Sequence, residues 1–330
     1  MTLKNDWPCV ALPHASLADR TTLRVGGRVE WLLEPKTPDE LREAWIAARA
    51  FVSEGPGPEK PVRVLGGGAN LVVGDGELPG VVISTERLRR VFRPTGGSAE
   101  ALAEGVDDTD IRMSQPSPAD DPRLVAWCGA PMPGLLRTAR DLGFSGLEGI
   151  VGVPGHVGGG VAMNAGGRWG EMWDVVETVR VLEPDGTPRD LARDECSPAY
   201  RNANLDGRLV VAVVLRFKPE PKLVIRERMS EYLREKRRVQ PVTEWSAGCV
   251  FKNPDPEVSD GRSAGLLVDE YGGKELSRGD AIVSPVHGNF IVNRGKATAV
   301  DVLTLMEDMR ALVAEKSGVW LEYEVQRWLP

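Results

Sequence analysis

The chain has 330 residues, enough for two domains of about 150 residues each. Hydrophobic residues make up 42% and charged residues 27%, and this ordinary globular composition excludes a disordered chain, a fibre and a disulfide-stapled miniprotein. The net charge of −7 removes the simplest reason to expect a nucleic-acid partner.

The first third of the chain predicts one helix followed by short strands. Residues 1–20 are interpreted as a loose lead-in. Thr37-Pro38-Asp39-Glu40 has the capping pattern and the early proline that mark a helix start. The segment 94–122 is rich in Gly, Ser, Asp and Pro, and it is predicted to be a surface insertion. The strands are predicted at 61–65, 71–73 and 80–83.

The rest of the chain predicts a mixture of helices and strands. A helix is expected over Pro133–Leu142, closed by Gly143, and another over Val224–Arg238. The last helix is expected from Thr298 to about Lys316, with Gly318 past its end and with one apolar face formed by Val302, Leu305, Met306, Met309 and Val313. Strands are predicted at 176–182, 188–191 and 209–217, the first two joined by the hairpin signal Glu183-Pro184-Asp185-Gly186. Pro219-Glu220-Pro221 is the expected linker, which gives a lead-in at 1–20, a first domain at 21–218 and a second at 219–330.

Cysteines, histidines and apolar runs exclude further classes. The four cysteines are widely separated and the three histidines are scattered, so no metal site and no disulfide framework are predicted. No apolar run approaches the roughly 18 residues of a membrane helix, and the N-terminus lacks a signal-peptide pattern. We expect a cytoplasmic monomer with no membrane and no nucleic-acid partner.

Two glycine-rich loops carry the first functional signal. The first, Leu65-Gly66-Gly67-Gly68-Ala69-Asn70-Leu71, follows a strand but has Leu71 where a Rossmann fingerprint needs its third glycine, and no helix is predicted after it. The second is Gly152-Val153-Pro154-Gly155-His156-Val157-Gly158-Gly159-Gly160. Glycines allow positive φ, so that consecutive N–H groups can converge on a phosphate. The loops predict a nucleotide or dinucleotide cofactor.

Further motifs extend this signal along the chain. They are Thr21-Thr22-Leu23-Arg24-Val25-Gly26-Gly27, Gly146-Leu147-Glu148-Gly149, Met163-Asn164-Ala165-Gly166, Tyr200-Arg201, Ser246-Ala247-Gly248-Cys249-Val250-Phe251-Lys252-Asn253-Pro254, His287-Gly288-Asn289-Phe290-Ile291-Val292-Asn293 and Leu321-Glu322-Tyr323-Glu324-Val325. Together with the glycine loops, in this order and spacing, they resemble the UDP-N-acetylenolpyruvoylglucosamine reductase family.

The resemblance implies an α+β fold: a two-lobed FAD-binding domain of the flavin-oxidase (PCMH-like) type, followed by a smaller α+β substrate domain. It implies non-covalent FAD, reduced by NADPH, and an enolpyruvyl UDP-sugar ether that is reduced to UDP-N-acetylmuramate for peptidoglycan synthesis. The cofactor-binding residues it implies are Gly66, Gly67, Gly68, Ala69, Asn70, Leu71, Pro154, Gly155, Val157, Gly158 and Gly159.

The family's catalytic trio falls on Arg201, Cys249 and Glu324. Hydride addition at the carbon β to a carboxylate builds negative charge on that carboxylate, and a permanently cationic guanidinium suits this charge. A thiol can then donate the proton to the neighbouring carbon, since an ordinary thiol is mostly protonated at neutral pH; many family members carry Ser at this position. Glu324 is expected to position or polarise the intermediate or the proton donor.

Substrate-binding residues implied by the same motifs are Tyr200, Lys252, Asn253, His287 and Asn289. Two alternatives stay open: another FAD-linked oxidase of the same fold, and a non-catalytic nucleotide-binding relative. The oxidase hypothesis leaves Cys249 and Glu324 without roles. The non-catalytic hypothesis would be favoured by loss of a trio residue, and all three are present. The choice between NADPH and NADH is not settled by the sequence.

Overall fold

The computed structural model of this protein describes residues 6–54, 60–94 and 121–330. The helices are α1 Pro38–Glu54, α2 Met132–Leu142, α3 Val157–Ala162, α4 Arg193–Cys196, α5 Lys222–Val239, α6 Pro256–Ser259, α7 Ala264–Glu270 and α8 Ala299–Ser317. The strands are β1 Val10–Ser16, β2 Arg28–Glu34, β3 Val62–Leu65, β4 Leu71–Val73, β5 Glu77–Ser84, β6 Val91–Phe92, β7 Arg123–Trp127, β8 Phe144–Ser145, β9 Gly166–Gly167, β10 Gly170–Glu171, β11 Val176–Leu182, β12 Pro188–Ala192, β13 Leu209–Arg216, β14 Lys218–Pro219, β15 Ser246–Cys249, β16 Ser277–Arg278, β17 Ala281–Val283, β18 Phe290–Asn293 and β19 Gln326–Trp328.

The described residues divide into two compact units. The larger unit comprises those within Met1–Leu12, Trp31–Gly67 and Gly80–Leu233, and the smaller unit comprises those within Pro13–Glu30, Gly68–Pro79 and Arg234–Pro330. The smaller unit therefore includes pieces from the N-terminal part of the chain. Across the residues that the structure describes, no helix combines the length and apolarity needed to cross a bilayer.

The larger unit is built on an antiparallel sheet in the order β12-β11-β13-β7-β6. Its middle strand, β13, is buried along seven of its eight residues, which is why its sequence is a continuous run of aliphatic side chains. Helix α2 buries Met132, Leu135, Leu136 and Ala139, and it ends at Gly143 in the left-handed conformation. A four-stranded sheet has the order β1-β2-β5-β3, in which β3 runs parallel to β5.

The smaller unit has an antiparallel sheet in the order β15-β18-β17-β16. Helix α8 begins after Thr298, whose hydroxyl accepts from Asp301 N, and ends at the left-handed Gly318. It buries the apolar face predicted from the sequence: Val302, Leu305, Met306, Met309 and Val313. Strand β19, near the C-terminus, pairs in parallel with β4, directly after the first glycine loop.

The predicted helices and strands outside the glycine-rich regions are confirmed, with small differences at their ends. Two expectations were wrong. Residues 10–16, assigned to a loose lead-in, form β1. Residues 157–162, within the second glycine loop, form helix α3. Glycine is a poor helix former, so the sequence pattern conceals α3. The predicted insertion lies almost wholly outside the described residues, and the domain boundary at 219 stays a prediction.

The buried carboxylate of Glu148 accepts several hydrogen bonds in the larger unit. Glu148 is 5% exposed and accepts hydrogen bonds from the Ser145 hydroxyl at 2.8 Å, from Gly146 N at 2.7 Å and from Arg228 Nη1 at 2.8 Å. Arg228 also donates to Glu220, which is more exposed. Buried charges are tolerated only when they are paired in this way.

We expect Glu148→Ala to lower the free energy of unfolding by about 3 kcal/mol, because the substitution leaves buried donors without an acceptor. Glu220→Ala removes a carboxylate from the same arginine at a more exposed position, so its effect should be much smaller. Urea denaturation of both variants measures the difference. Equal losses would show that burial of Glu148 is not what makes it important.

Candidate active site

The two glycine loops touch each other at Gly67 and Gly155, two residues of the larger unit. A Cβ built on Gly67 would lie 2.6 Å from the Cα of Gly155 and 3.3 Å from Cδ2 of His156, so neither loop could keep its position with a side chain at 67. A Cβ on Gly66 would make only an ordinary contact, at 3.9 Å from the Cβ of His156. Glycine at 67 is therefore required by the close approach of two backbones.

The first loop presents several backbone donors. Among the described residues, no acceptor lies within hydrogen-bond range of the N–H groups of Gly66, Gly67, Gly68 and Ala69. Gly68 has φ +60°, the left-handed conformation that turns successive N–H groups toward a common point. These amides fit the pyrophosphate of a dinucleotide such as FAD.

The second loop contributes fewer donors than the sequence suggested. The N–H of Val157 donates to Ala130 O at 2.9 Å, and the N–H of Gly158 donates to Cys128 O at 2.7 Å. These bonds hold the start of α3 in place. If Val157 and Gly158 contact the cofactor, they do so through other atoms. Gly159 has open space at the position of a Cβ.

His156 is a residue that the sequence analysis did not assign to the site. Its Nδ1 is buried and has no hydrogen-bond partner among the described residues. Burial lowers the pKa of the imidazole, and Arg89 acts in the same direction while Glu86 opposes it. A neutral imidazole can hold its proton on Nδ1 and donate it. The sequence signal that could have identified His156 is its position directly after Pro154 and Gly155. A buried donor in the second glycine loop, close to Gly67 of the first, is suited to a phosphate oxygen.

Tyr200 and Arg201 lie at the tip of a tight turn in the larger unit. Ala199 and Asn202 close the turn with two backbone hydrogen bonds, at 2.8 and 3.1 Å. Arg201 has φ +57°, a left-handed conformation that costs a residue with a side chain about 1 kcal/mol. Its guanidinium lies 4.8 Å from the centroid of the Tyr200 ring, within the range of a cation–π contact.

Cys249 and Glu324 are brought together by strand pairing in the smaller unit. The N–H of Glu324 donates to the carbonyl of Val250, the residue after Cys249, at 2.8 Å. Lys252 N donates to Glu322 O, also at 2.8 Å, so the two segments run antiparallel. Cys249 and Glu324 are both partly exposed. A partly exposed thiol on a segment paired with that of a partly exposed carboxylate suits a proton donor that must reach a substrate.

The end of the first glycine loop lies beside this pair. The side-chain amide of Asn70 donates to Glu324 O at 3.2 Å, and Gln326 N donates to Asn70 O at 3.1 Å. A Cβ built on Gly248, the residue before Cys249, would lie 3.8 Å from Ala69 O. Within the smaller unit, predicted cofactor residues therefore contact the segments that carry two of the predicted catalytic residues.

The predicted substrate-binding side chains differ in what they contact. Lys252 forms a 3.4 Å ion pair with Glu322, at an exposed position where such a pair adds little stability. Asn253 accepts from Ala264 N at the start of α7. Asn289 is 3% exposed, and both ends of its amide bond the backbone of Phe251, two residues after Cys249. This supports a role for Asn289 in holding the strand of Cys249.

His287 is packed tightly under α7. Its Nδ1 accepts from Asn289 N at 3.1 Å, and its ring meets Phe290 edge-on at 4.9 Å. A Cβ on Gly265 would lie only 2.6 Å from His287 Cε1. Burial lowers the pKa of His287, and Lys274 reinforces that effect while Asp269 opposes it. The contacts favour a neutral imidazole with its proton on Nε2.

Comparison with known proteins places these features in a class and then in a family. The family model for an FAD binding domain matches residues 29–192, so the class is that of FAD-dependent oxidoreductases. The model for the C-terminal domain of UDP-N-acetylenolpyruvoylglucosamine reductase matches residues 240–328. The chain belongs to the UDP-N-acetylenolpyruvoylglucosamine reductase family, as the full-length relatives also show.

Full-length relatives agree over nearly the whole chain. The UDP-N-acetylenolpyruvoylglucosamine reductase of Deinococcus radiodurans is 41% identical over 316 residues, covering 94% of both chains. That of Thermus thermophilus is 40% identical over 313 residues, covering 94% of this chain and 97% of its own. The crystal structure of the Thermus caldophilus reductase matches with a TM-score of 0.73 and 36% identity, covering 97% of this chain and 98% of its own. The fold class is confirmed, and the oxidase and non-catalytic alternatives are disfavoured.

We expect His156→Leu to raise the dissociation constant for FAD about 10-fold, because it removes one buried donor worth about 1.4 kcal/mol. His156→Asn keeps an N–H near the position of Nδ1 and should bind FAD nearly as tightly as the wild type. Titration of the apoprotein with FAD, followed by flavin fluorescence, measures both constants. Wild-type affinity in the leucine variant would exclude a contact between His156 and the cofactor.

Proposed function

We propose that this protein catalyses the NADPH-dependent reduction of the enolpyruvyl group of UDP-N-acetylglucosamine enolpyruvate to UDP-N-acetylmuramate, a step of peptidoglycan synthesis. Family membership supports this reaction. The observation that carries it is the contact of Ala69 and Asn70 with the segments of Cys249 and Glu324. Cofactor-binding backbone and a candidate proton donor thus share one surface of the smaller unit.

Bound FAD would supply the redox chemistry, the passage of a hydride from NADPH to the substrate double bond. The residues of the chain then have to stabilise charge and deliver a proton. Arg201 pairs with the substrate carboxylate, on which negative charge builds as the hydride arrives. Its fixed cationic fork is suited to a carboxylate that becomes enolate-like. The neighbouring Tyr200 ring limits the orientations of this guanidinium.

Cys249 donates its thiol proton to the carbon next to the carboxylate, which completes the addition. Gly248, with φ +81°, bends the strand directly before the thiol. The Thr22 hydroxyl holds the carbonyl of Ser246 at 2.7 Å and fixes the start of the same strand. Glu324, held by its backbone bond to Val250, orients the thiol or the developing intermediate.

The other assignments complete the proposal. Residues 21–218 bind FAD and residues 219–330 bind the UDP sugar. Lys252 and Asn253 contact the UDP sugar, and Asn289 and His287 support the site. NADPH is the reductant. The enzyme acts as a monomer in the cytoplasm, without a membrane or nucleic-acid partner.

We expect Cys249→Ala to leave the reduction of bound flavin by NADPH unchanged and to slow its reoxidation by the enolpyruvyl substrate at least about 100-fold, the usual contribution of a general acid. Anaerobic stopped-flow recording of the visible flavin band separates the two half-reactions. Reoxidation at the wild-type rate would remove Cys249 from the mechanism.

Cys249→Ser is the matched control, since a hydroxyl is smaller than a thiol but still donates a proton. This variant should keep substantial turnover in both half-reactions. Complete inactivity of the serine variant, with normal FAD binding, would show that the reaction needs the acidity of the thiol.

A further inference from the structure

The turn that carries Arg201 does not have the sequence of a stable turn. A turn whose second central residue is left-handed favours Gly or Asn at that position, whereas here the tip is Tyr200-Arg201 and Arg201 is the left-handed residue. A left-handed arginine is unfavourable unless the surrounding structure imposes it. The hydrogen bonds around the turn therefore decide whether Arg201 keeps this position.

Asn164 supplies the first of these bonds. It is fully buried, with φ +42°, and its Nδ2 donates to the carbonyl of Ala199 at 3.2 Å. Its Oδ1 accepts from the backbone N–H of Trp173 at 3.2 Å. Trp173 is itself fully buried, and its indole N–H donates to Val161 O at 2.8 Å. One end of the Asn164 amide is thus fixed in the core, and the other end holds the base of the turn.

Asn204 supplies the bonds on the other side. Its Nδ2 donates to Ser197 O at 2.6 Å, and its backbone N–H donates to Asn202 Oδ1 at 2.8 Å; Asn204 has φ +51°. The side chain of Asn202 also donates to Asn204 Oδ1 at 2.7 Å. Asparagine suits these positions, because it tolerates the left-handed region and its short amide can bond nearby backbone. We call the hydrogen bonds that Asn164 and Asn204 make around the turn the bracket.

Helix α3 connects the bracket to the second glycine loop. Ala203 N donates to the carbonyl of Ala162, the last residue of α3, at 3.2 Å. The helix begins directly after His156 and is six residues long, or about 9 Å at the usual rise. Helix α3 thus links the turn of Arg201 to the second glycine loop, which is the loop that contacts Gly67.

We propose that Asn164 and Asn204 are positioning residues for Arg201 in the reduction of the enolpyruvyl group. This inference rests on the proposed function for its kinetic consequence, but the bracket itself is a property of the larger unit. A misplacement of about 1 Å in a charge-stabilising group can cost about 100-fold in rate.

The test uses the holoenzyme and the substitutions Asn164→Asp and Asn204→Asp. Each keeps the side-chain shape but places a carboxylate oxygen against the carbonyl of Ala199 or Ser197. We expect reoxidation of the reduced flavin by the enolpyruvyl UDP sugar to slow at least 10-fold, while reduction by NADPH changes less than 2-fold. Glu195→Ala, which removes a nearby side-chain bond to Ala192 N but does not touch the turn, should alter neither half-reaction.

A double-mutant comparison separates positioning from general loss of structure. With Arg201→Ala already present, Asn164→Asp or Asn204→Asp should slow reoxidation by less than a further 2-fold, because the residue they position has been removed. A full additional 10-fold loss in that background, or equal slowing of both half-reactions, would overturn the proposal.

Hydrogen exchange gives a readout that does not depend on the substrate. We expect Asn164→Asp to speed exchange in a peptide covering residues 197–204 and to leave the β11–β12 hairpin unchanged. Unchanged exchange at 197–204 would refute the bracket even if the kinetics were ambiguous. A wild-type enzyme that fails to reduce the enolpyruvyl substrate while this exchange result holds would instead contradict the proposed function alone.

Discussion

The close approach of two glycine loops is the constraint on which the rest of the larger unit depends. At Gly67 the backbone of one loop lies so near Gly155 that a methyl group cannot be accommodated. The N–H groups of the first loop have no protein acceptor among the described residues, and the same is true of the buried Nδ1 of His156, whose Cδ2 would lie 3.3 Å from a Cβ at Gly67. An acidic chain can hold a pyrophosphate in this way with few lysines, because the backbone supplies the donors.

The catalytic candidates are held through their backbones, Arg201 in the larger unit and Cys249 and Glu324 in the smaller unit. Arg201 occupies a strained turn fixed by buried or bonded asparagines. Cys249 and Glu324 lie on antiparallel segments; the Asn70 amide bonds the carbonyl of Glu324 itself, and Asn289 bonds the backbone of Phe251, two residues after Cys249. In both units, amide side chains fix the main chain and the reactive side chains stay partly exposed. Many motif residues therefore make structural contacts, because they hold the backbone that carries the few reactive side chains.

The sequence was sufficient for features that depend on local pattern. The apolar face of α8 and its end signals at Thr298 and Gly318 are local, and they were predicted correctly. Helix α3 was not predictable, because a run of glycines opposes a helix and its start is held by bonds to Ala130 and Cys128, which are distant in the sequence.

Long-range contacts account for the remaining differences. The bond from Asn164 to Ala199 spans 35 residues, and no spacing rule reveals it. The motifs predict that Asn289 binds substrate, and this stays a prediction; the structure adds that both ends of its amide bond the backbone of Phe251. The orphaned Nδ1 of His156 also becomes visible only when its surroundings are known. Residues in a motif can be recognised from sequence. The structure is needed to distinguish a residue that is free to contact a ligand from one whose side chain supports the backbone.

The affinity of Gly67→Ala for FAD tests the central claim most directly. Gly167→Ala is the matched control, since a Cβ at Gly167 meets nothing within 4 Å. If the loop contact forms the flavin cradle, the alanine at 67 should weaken FAD binding more than 10-fold in a protein that remains folded by circular dichroism, while the alanine at 167 should bind FAD as the wild type does. Wild-type affinity in Gly67→Ala would contradict the account.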